Sequence, residues 1–160
     1  VLVVIILLIV YSGDRPFNKV IVPTDNMILN RTELQYLDTI IAIGLDELEI
    51  KGVNVYLRPI SIVNTDNTTV LKAHIIAGDN NQYLIEIDKS DRGDILNSVS
   101  HELIHLKQLR DGRLKVTADY ILWNNDTITN PPSYFDREWE IEAKDLGDKL
   151  RIKIKNRLYE

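Results

Sequence analysis

The pentapeptide His101-Glu102-Leu103-Ile104-His105 decides more about this chain than any other stretch of its sequence. At 100° and 1.5 Å per residue in an α-helix, His101 and His105 lie about 40° and about 6 Å apart on one helix face. Both imidazole rings can therefore reach one metal ion, which makes the pair half of a zinc site. Glu102 projects about 100° round the helix, where its carboxylate can hold and deprotonate a water molecule.

The sequence around this motif favours a helix. The segment 91–109 has no proline, has its single glycine near the start, and runs into Asp111-Gly112, a common helix end. On a helical wheel the two histidines face away from the main apolar stripe, which consists of Ile95, Leu96, Val99, Leu103 and Leu106. We therefore expect a helix that packs on one side and lines a cleft with the other. The alternative is a helical scaffold without metal, in which the motif is accidental.

A catalytic zinc needs a third protein ligand, and the sequence offers four candidates. Asp111 has the spacing of the last metzincin ligand, but Gln108 stands where that pattern needs glycine, so we interpret Asp111 as a residue of the helix end. His74 lies in an extended stretch with no spacing signature. Glu140 and Glu142 open the last long helix about 200° apart on its wheel, so both cannot bind one ion. These alternatives stay open on the residues alone.

The two motifs together carry a resemblance to a known family. HELIH, followed some thirty-five residues later by a helical glutamate with a small residue three positions on, resembles the gluzincin group of zinc metallopeptidases. HELIHLKQ with the later REWEIEA is similar to small metallopeptidases of phages and bacteria that have an HExxH helix and a WEIEA-like segment. The resemblance extends over 53–149 in the order of elements and is specific in those two motifs.

Residue by residue, this resemblance implies His101 and His105 as Zn²⁺ ligands, Glu140 as the third ligand and Glu102 as general base. Ala143 matches the small residue of the family's Glu-x-x-small pattern. The implied function is zinc-dependent hydrolysis of a peptide or protein substrate. A peptide-binding module that keeps the zincin architecture without turnover is the alternative, and Glu142 stays the competing third ligand.

Composition excludes some other classes of protein. The chain has 160 residues, is 44% apolar, and carries a net charge of -5 with no basic run, so it gives nucleic acid no electrostatic footprint. It has no cysteine, which excludes disulfides and thiolate metal sites. The length suits one core, and we assign 13–160 to a single zincin-like domain.

The ten residues that open the chain are uninterruptedly apolar, from Val1 to Val10. This run is too short to span a bilayer but matches the length of the apolar core of a signal peptide. We interpret 1–12 as an export signal or membrane tether, which predicts an exported or membrane-associated protein. A buried β-strand in a cytoplasmic protein is the alternative, supported by the content of valine and isoleucine.

Periodicity predicts the remaining elements. Residues 31–49 have apolar side chains at helical spacing, and the runs 53–60, 70–77 and 83–88 are extended, with loops rich in Asn, Asp and Thr between them. We expect an α+β, minimal zincin-like fold, in which a small, twisted, mainly antiparallel meander packs on the HExxH helix and on a C-terminal helix that bears the glutamate. The run 70–77 is our candidate for an exposed edge to which a peptide adds as a strand.

The segment 114–136 is predicted to be an irregular, aromatic binding loop between the two motif helices. Tyr134 is our first candidate for a donor to the oxyanion formed during amide hydrolysis, and Tyr120 is the second. We expect Pro131, Pro132 and Ser133 to lead into the last helix and cap it. Asn97, Ser98 and Gln108 are candidates to accept a hydrogen bond from the imidazole nitrogens that do not bind metal.

Overall fold

A computed structural model describes residues 19–21, 31–60, 73–88 and 94–160 of the chain. The apolar run 1–12, interpreted above as a signal or tether, lies outside these ranges. Within them the chain forms β1 (Lys19–Ile21), α1 (Arg31–Glu47), β2 (Asn54–Ile60), β3 (Ala73–Ala77), β4 (Gln82–Asp88), α2 (Ile95–Arg110), β5 (Leu114–Val116), β6 (Ile121–Trp123), β7 (Asp126–Ile128), a 3-10 turn (Tyr134–Asp136) and α3 (Glu138–Leu158). The predicted α+β class is confirmed, with three α-helices and two small sheets in this part of the chain. No helix in the described ranges is long and apolar enough to cross a membrane.

The larger sheet is mixed, and the prediction of a mainly antiparallel meander is wrong. Its strand order is β1-β2-β4-β3; β1 and β4 both run parallel to β2, while β3 runs antiparallel to β4. The strand β4 lies between β2 and β3, so these two strands, although consecutive among the described elements, are not neighbours. Consecutive strands pair only in about two-thirds of cases, and the spacing of apolar residues does not report which strand is the neighbour.

The strand β3 lies at the edge of this sheet, as predicted for the run 70–77. Among the residues described, β3 pairs with β4 alone, through a hairpin whose loop holds Asn80 and Asn81 at φ 55° and 57°. Asparagine tolerates this left-handed backbone better than most residues do, which is why an Asn-Asn loop joins the two strands. No strand in the described ranges pairs with the other backbone edge of β3.

The main core lies between one face of the sheet and the three helices. Alternate residues of neighbouring strands, such as Val55, Leu57 and Ile85, are at most 1% exposed and pack with α1, α2 and α3. The opposite face carries the cross-strand row Arg58, Glu86 and His74. Burial of this one apolar face holds the helices and the sheet edge in a fixed relation to each other.

The helix α2 lines a cleft, as expected, but it packs on more than the one side predicted and is buried over most of its surface. Ser100, Glu102, His105 and Gln108 are buried as thoroughly as the apolar stripe, at 0%, 5%, 7% and 1% exposure. The reason is that α1, α3, the larger sheet and β5 all contact this helix. Polar side chains on a central helix have to find partners inside the protein.

The predicted binding loop 114–136 contains a second sheet instead, with antiparallel strands in the order β5-β6-β7. Asn124 and Asn125, both at positive φ, form the two-residue turn between β6 and β7. Trp123 of this sheet packs with Leu114 and with Trp139 of α3 in a small core of its own. The sheet is thereby attached to the first turn of α3.

Candidate metal centre

The position of each candidate ligand follows from how α2 ends and where α3 crosses it. The helix α2 ends at the C-cap Asp111, followed by Gly112 at φ 70°, so the prediction of a helix end here is confirmed. His105 lies more than one turn before this end, and its Nε2 atom faces Glu140 of α3.

The helix α3 approaches α2 closely at Gly147. A Cβ atom placed on Gly147 would lie 3.2 Å from the Cα atom of His101 and 3.3 Å from its backbone nitrogen. A side chain at this position would have to push the two helix backbones apart by a few tenths of an ångström. Glu140 lies two helical turns before Gly147, on the part of α3 that faces the two histidine rings.

His101, His105 and Glu140 meet across this interface. The Nε2 atoms of the two histidines are 3.0 Å apart, and the Oε2 atom of Glu140 lies 3.3 Å from that of His101 and 3.2 Å from that of His105. Donors bonded to a tetrahedral zinc at 2.0–2.1 Å are about 3.3 Å from one another. Two imidazole nitrogens and a carboxylate oxygen at these separations therefore fit Zn²⁺ in number, chemistry and spacing, and they leave a fourth position for water or substrate.

Glu102 lines the same cleft but is not one of the three grouped donors. Its side chain is buried, and burial raises the pKa of Glu102, although the nearby His105 and His101 oppose the rise. A carboxylate whose pKa has moved towards neutrality is suited to accept and return a proton.

The other candidates for the third ligand have different partners. Glu142 forms a two-pronged ion pair with Arg113, at 2.8 and 2.7 Å, and His74 bonds to Glu86 at 2.6 Å on the far face of the sheet. Asp111 pairs with Lys107 one turn back along α2. Of the four glutamate, aspartate and histidine candidates, the structure brings Glu140 alone to the two histidines of the motif.

The electrostatics of the centre favour an ionised Glu140. Burial works against the charge, but hydrogen bonds to His101, His105 and Tyr134 hold the pKa of Glu140 well below its usual range. Burial alone would lower the pKa of His105, yet the hydrogen bond to Glu140 and the charge of Glu102 raise it. The site thus concentrates negative charge where a cation would be bound.

Tyr134 is the tyrosine that the structure brings to this centre. Its burial and its hydrogen bond to Glu140 raise the pKa of Tyr134, so the phenol stays protonated and able to donate. Tyr120 does not line the cleft; its backbone carbonyl accepts a bond from Thr117. The expectation that Ser133 caps α3 is wrong, because Arg137 is the residue at the N-cap of α3. Ser133 instead precedes the separate 3-10 turn that contains Tyr134, and its hydroxyl donates to Asp136.

Two of the three donors, His105 and Glu140, line a cleft of about 470 Å³. One wall is the edge strand β3, and the floor holds Glu102, His105 and Glu140. The remaining walls are mostly apolar side chains of α2, the small sheet and α3, namely Leu109, Leu114, Val116, Ile121 and Trp139, with Tyr134 and Arg137 beside them. An exposed strand edge beside an apolar trough suits an extended chain segment.

The role of the small sheet in this cleft could not be found from the apolar pattern, because strands of three residues are too short to show a period. The Asn-Asn pair after Trp123 was the available signal for a hairpin.

Searches of protein-family models, of curated proteins and of solved structures found no match to this chain.

Proposed function

We propose that this protein is a zinc-dependent peptidase. The observation that carries the proposal is the convergence of His101, His105 and Glu140 at mutual distances of 3.0–3.3 Å, with Glu102 in the same cleft. Two histidines, a carboxylate and a separate buried glutamate are the groups that a zinc hydrolase requires.

The three donors would hold Zn²⁺, which in such a site supplies the Lewis acidity that polarises water and the scissile carbonyl. The Glu102 carboxylate accepts the proton of the attacking water and returns it to the nitrogen of the leaving amine. The Tyr134 hydroxyl, close to Glu140, donates to the carbonyl oxygen as negative charge develops on it.

The shape of the cleft supports a peptide or protein substrate. The backbone of β3 can pair with an extended segment, while Val116 and Ile121 offer apolar contacts to its side chains. We include in this proposal that the fold is zincin-like. The support for a zincin-like fold is the order of α2 and α3 along the chain and the edge strand β3 beside them.

The test combines zinc analysis with a peptide-library cleavage assay on the wild type and on Glu102→Gln. We expect one zinc per chain in both proteins and cleavage by the wild type alone. A wild type that binds neither zinc nor any other divalent ion refutes the proposal and favours an accidental motif. A wild type that binds zinc and peptide without cleaving refutes the catalytic part and favours the silent peptide-binding module.

A further inference from the structure

Gln108 lies behind His105, on the side away from the donor cluster, and is 1% exposed. Its Oε1 atom is 2.8 Å from the Nδ1 atom of His105. Its Nε2 atom is 3.0 Å from the backbone carbonyl of Trp139 and 3.3 Å from the Oε1 atom of Glu142. One side-chain amide therefore connects a histidine of α2 to the residue that precedes Glu140 on α3.

These contacts fix the orientation of the amide. The carbonyl of Trp139 and the carboxylate of Glu142 can only accept hydrogen bonds, so the atom of Gln108 that faces them must be the NH₂ group. A flipped amide would set its oxygen against two other oxygens. The carbonyl oxygen of Gln108 must consequently face His105. Because this oxygen can only accept a hydrogen bond, the Nδ1 atom of His105 must carry a proton and donate it to the bond.

The Glu142 carboxylate is held in turn by Arg113. The guanidinium donates to both carboxylate oxygens, at 2.8 and 2.7 Å, and also to Asn124 at 2.9 Å. It lies 4.7 Å from the ring centroid of Trp123. Contacts with Asn124 and Trp123 of the small sheet therefore hold the Arg113 side chain. Arg113 in turn orients the Glu142 carboxylate, which accepts a hydrogen bond from the amide of Gln108.

We propose that Gln108 is a positioning residue that holds His105 in the tautomer whose Nε2 lone pair points at the metal, and that the Arg113–Glu142 pair keeps Gln108 in the required orientation. The inference rests on the proposed function, because it assigns these residues a role towards the zinc. Metal-ligating histidines depend on such a partner for both tautomer and ring orientation.

The first test replaces Gln108 by leucine, which fills similar space and cannot accept a hydrogen bond. Zinc affinity, measured by competition with a chelator, should fall about 10- to 100-fold. In metal-free protein, ¹⁵N NMR of the imidazole at a pH where it is neutral should show His105 protonated at Nδ1 in the wild type and no longer held in that form in the variant. Ser100→Ala is the control, since Ser100 is equally buried on α2 but bonds to the carbonyl of Leu96; it should change neither readout.

Wild-type zinc affinity in Gln108→Leu, or a wild-type protein whose His105 is protonated at Nε2, overturns the proposal. The tautomer is read without metal, so this result is distinguishable from failure of the proposed zinc function, which would show as absence of zinc binding in the wild type.

The second test uses Arg113→Gln, at a side chain that is 38% exposed and whose loss the fold should tolerate. Arg157→Gln is the matched control, because Arg157 joins α3 to Asp46 and Glu47 of α1 in a comparable ion pair away from the site. Zinc affinity should fall in Arg113→Gln, by less than in Gln108→Leu, and should be unchanged in Arg157→Gln. Equal affinities in the two arginine variants overturn the role assigned to Arg113.

Discussion

Gly147→Ala should weaken both the fold and the metal centre, because of where the added methyl group would lie. Its Cβ atom would be 3.2 Å from the His101 Cα atom, 3.3 Å from the His101 nitrogen and 3.5 Å from the Ser100 carbonyl carbon. Carbon atoms in contact prefer about 3.5–4.0 Å, so α3 has to retreat from α2 by about 0.3–0.5 Å. The obstructing atoms are backbone of a buried helix and cannot turn aside.

The free energy of this change has two opposing parts. Overpacking a core destabilises the folded protein by about 1–3 kcal/mol, whereas alanine in place of glycine inside a helix stabilises it by about 1 kcal/mol. The net loss is about 1 kcal/mol, which for a protein of this size lowers the Tm by about 2–4 °C. In Gly147→Ala, zinc binding has to press α2 and α3 back together against the added methyl group, which costs about 1–2 kcal/mol. Zinc affinity should therefore fall about 5- to 30-fold.

Thermal unfolding of metal-free protein and chelator competition for zinc measure the two effects separately. Gly44→Ala is the comparison, because its methyl group would meet the side-chain ends of Leu103 and Ile154 rather than the site. It should lower the Tm and leave zinc affinity unchanged. If Gly147→Ala binds zinc as tightly as the wild type, then the spacing of α2 and α3 does not set the donor geometry and the reasoning fails.

Three further predictions concern the charged and hydroxyl groups of the site. Glu140→Gln should lose most of its zinc while Glu102→Gln keeps it, as measured by metal content after dialysis; equal retention would remove Glu140 from the ligand set. In chelator-treated protein, Glu102→Gln should be more stable than the wild type near neutral pH and equal to it below about pH 4. Burial raises the pKa of Glu102 in the folded protein above 4.5. The wild type therefore loses stability as the pH rises from 4.5 through the pKa of Glu102 in the folded state. Thermal melts across that range would contradict this if the difference did not grow with pH. Tyr134→Phe should keep zinc and lower kcat by about 10²- to 10³-fold, the usual loss of one oxyanion donor; an unchanged kcat would show that the phenol only packs against Glu140.

The helices were predictable because their signals are local. The predicted helix 31–49 is observed as α1, Arg31–Glu47, and the HExxH segment forms α2, since apolar spacing, breaker residues and caps all lie within the element itself. His101, Glu102 and His105 share one helix, so their geometry followed from helical pitch alone.

The resemblance implied Glu140, but the residues alone could not decide between Glu140 and Glu142, because that choice depends on contacts between distant parts of the chain. Both glutamates lie near the start of α3, about 200° apart on the helical wheel, and helical spacing alone favoured neither. What decides is Gly147, where α3 approaches α2 closely, and Arg113, which precedes β5 and pairs with Glu142. The order of strands in the larger sheet escaped prediction for the same reason: pairing partners are set by the whole fold.

The donor cluster is divided between two helices, with Glu140 following His105 by 35 positions along the chain. During synthesis, a ribosome-bound chain that ends within β7 has both histidines but lacks Glu140, and α2 lacks the cover that α3 gives it. The complete three-donor cluster therefore cannot form before α3 has been translated.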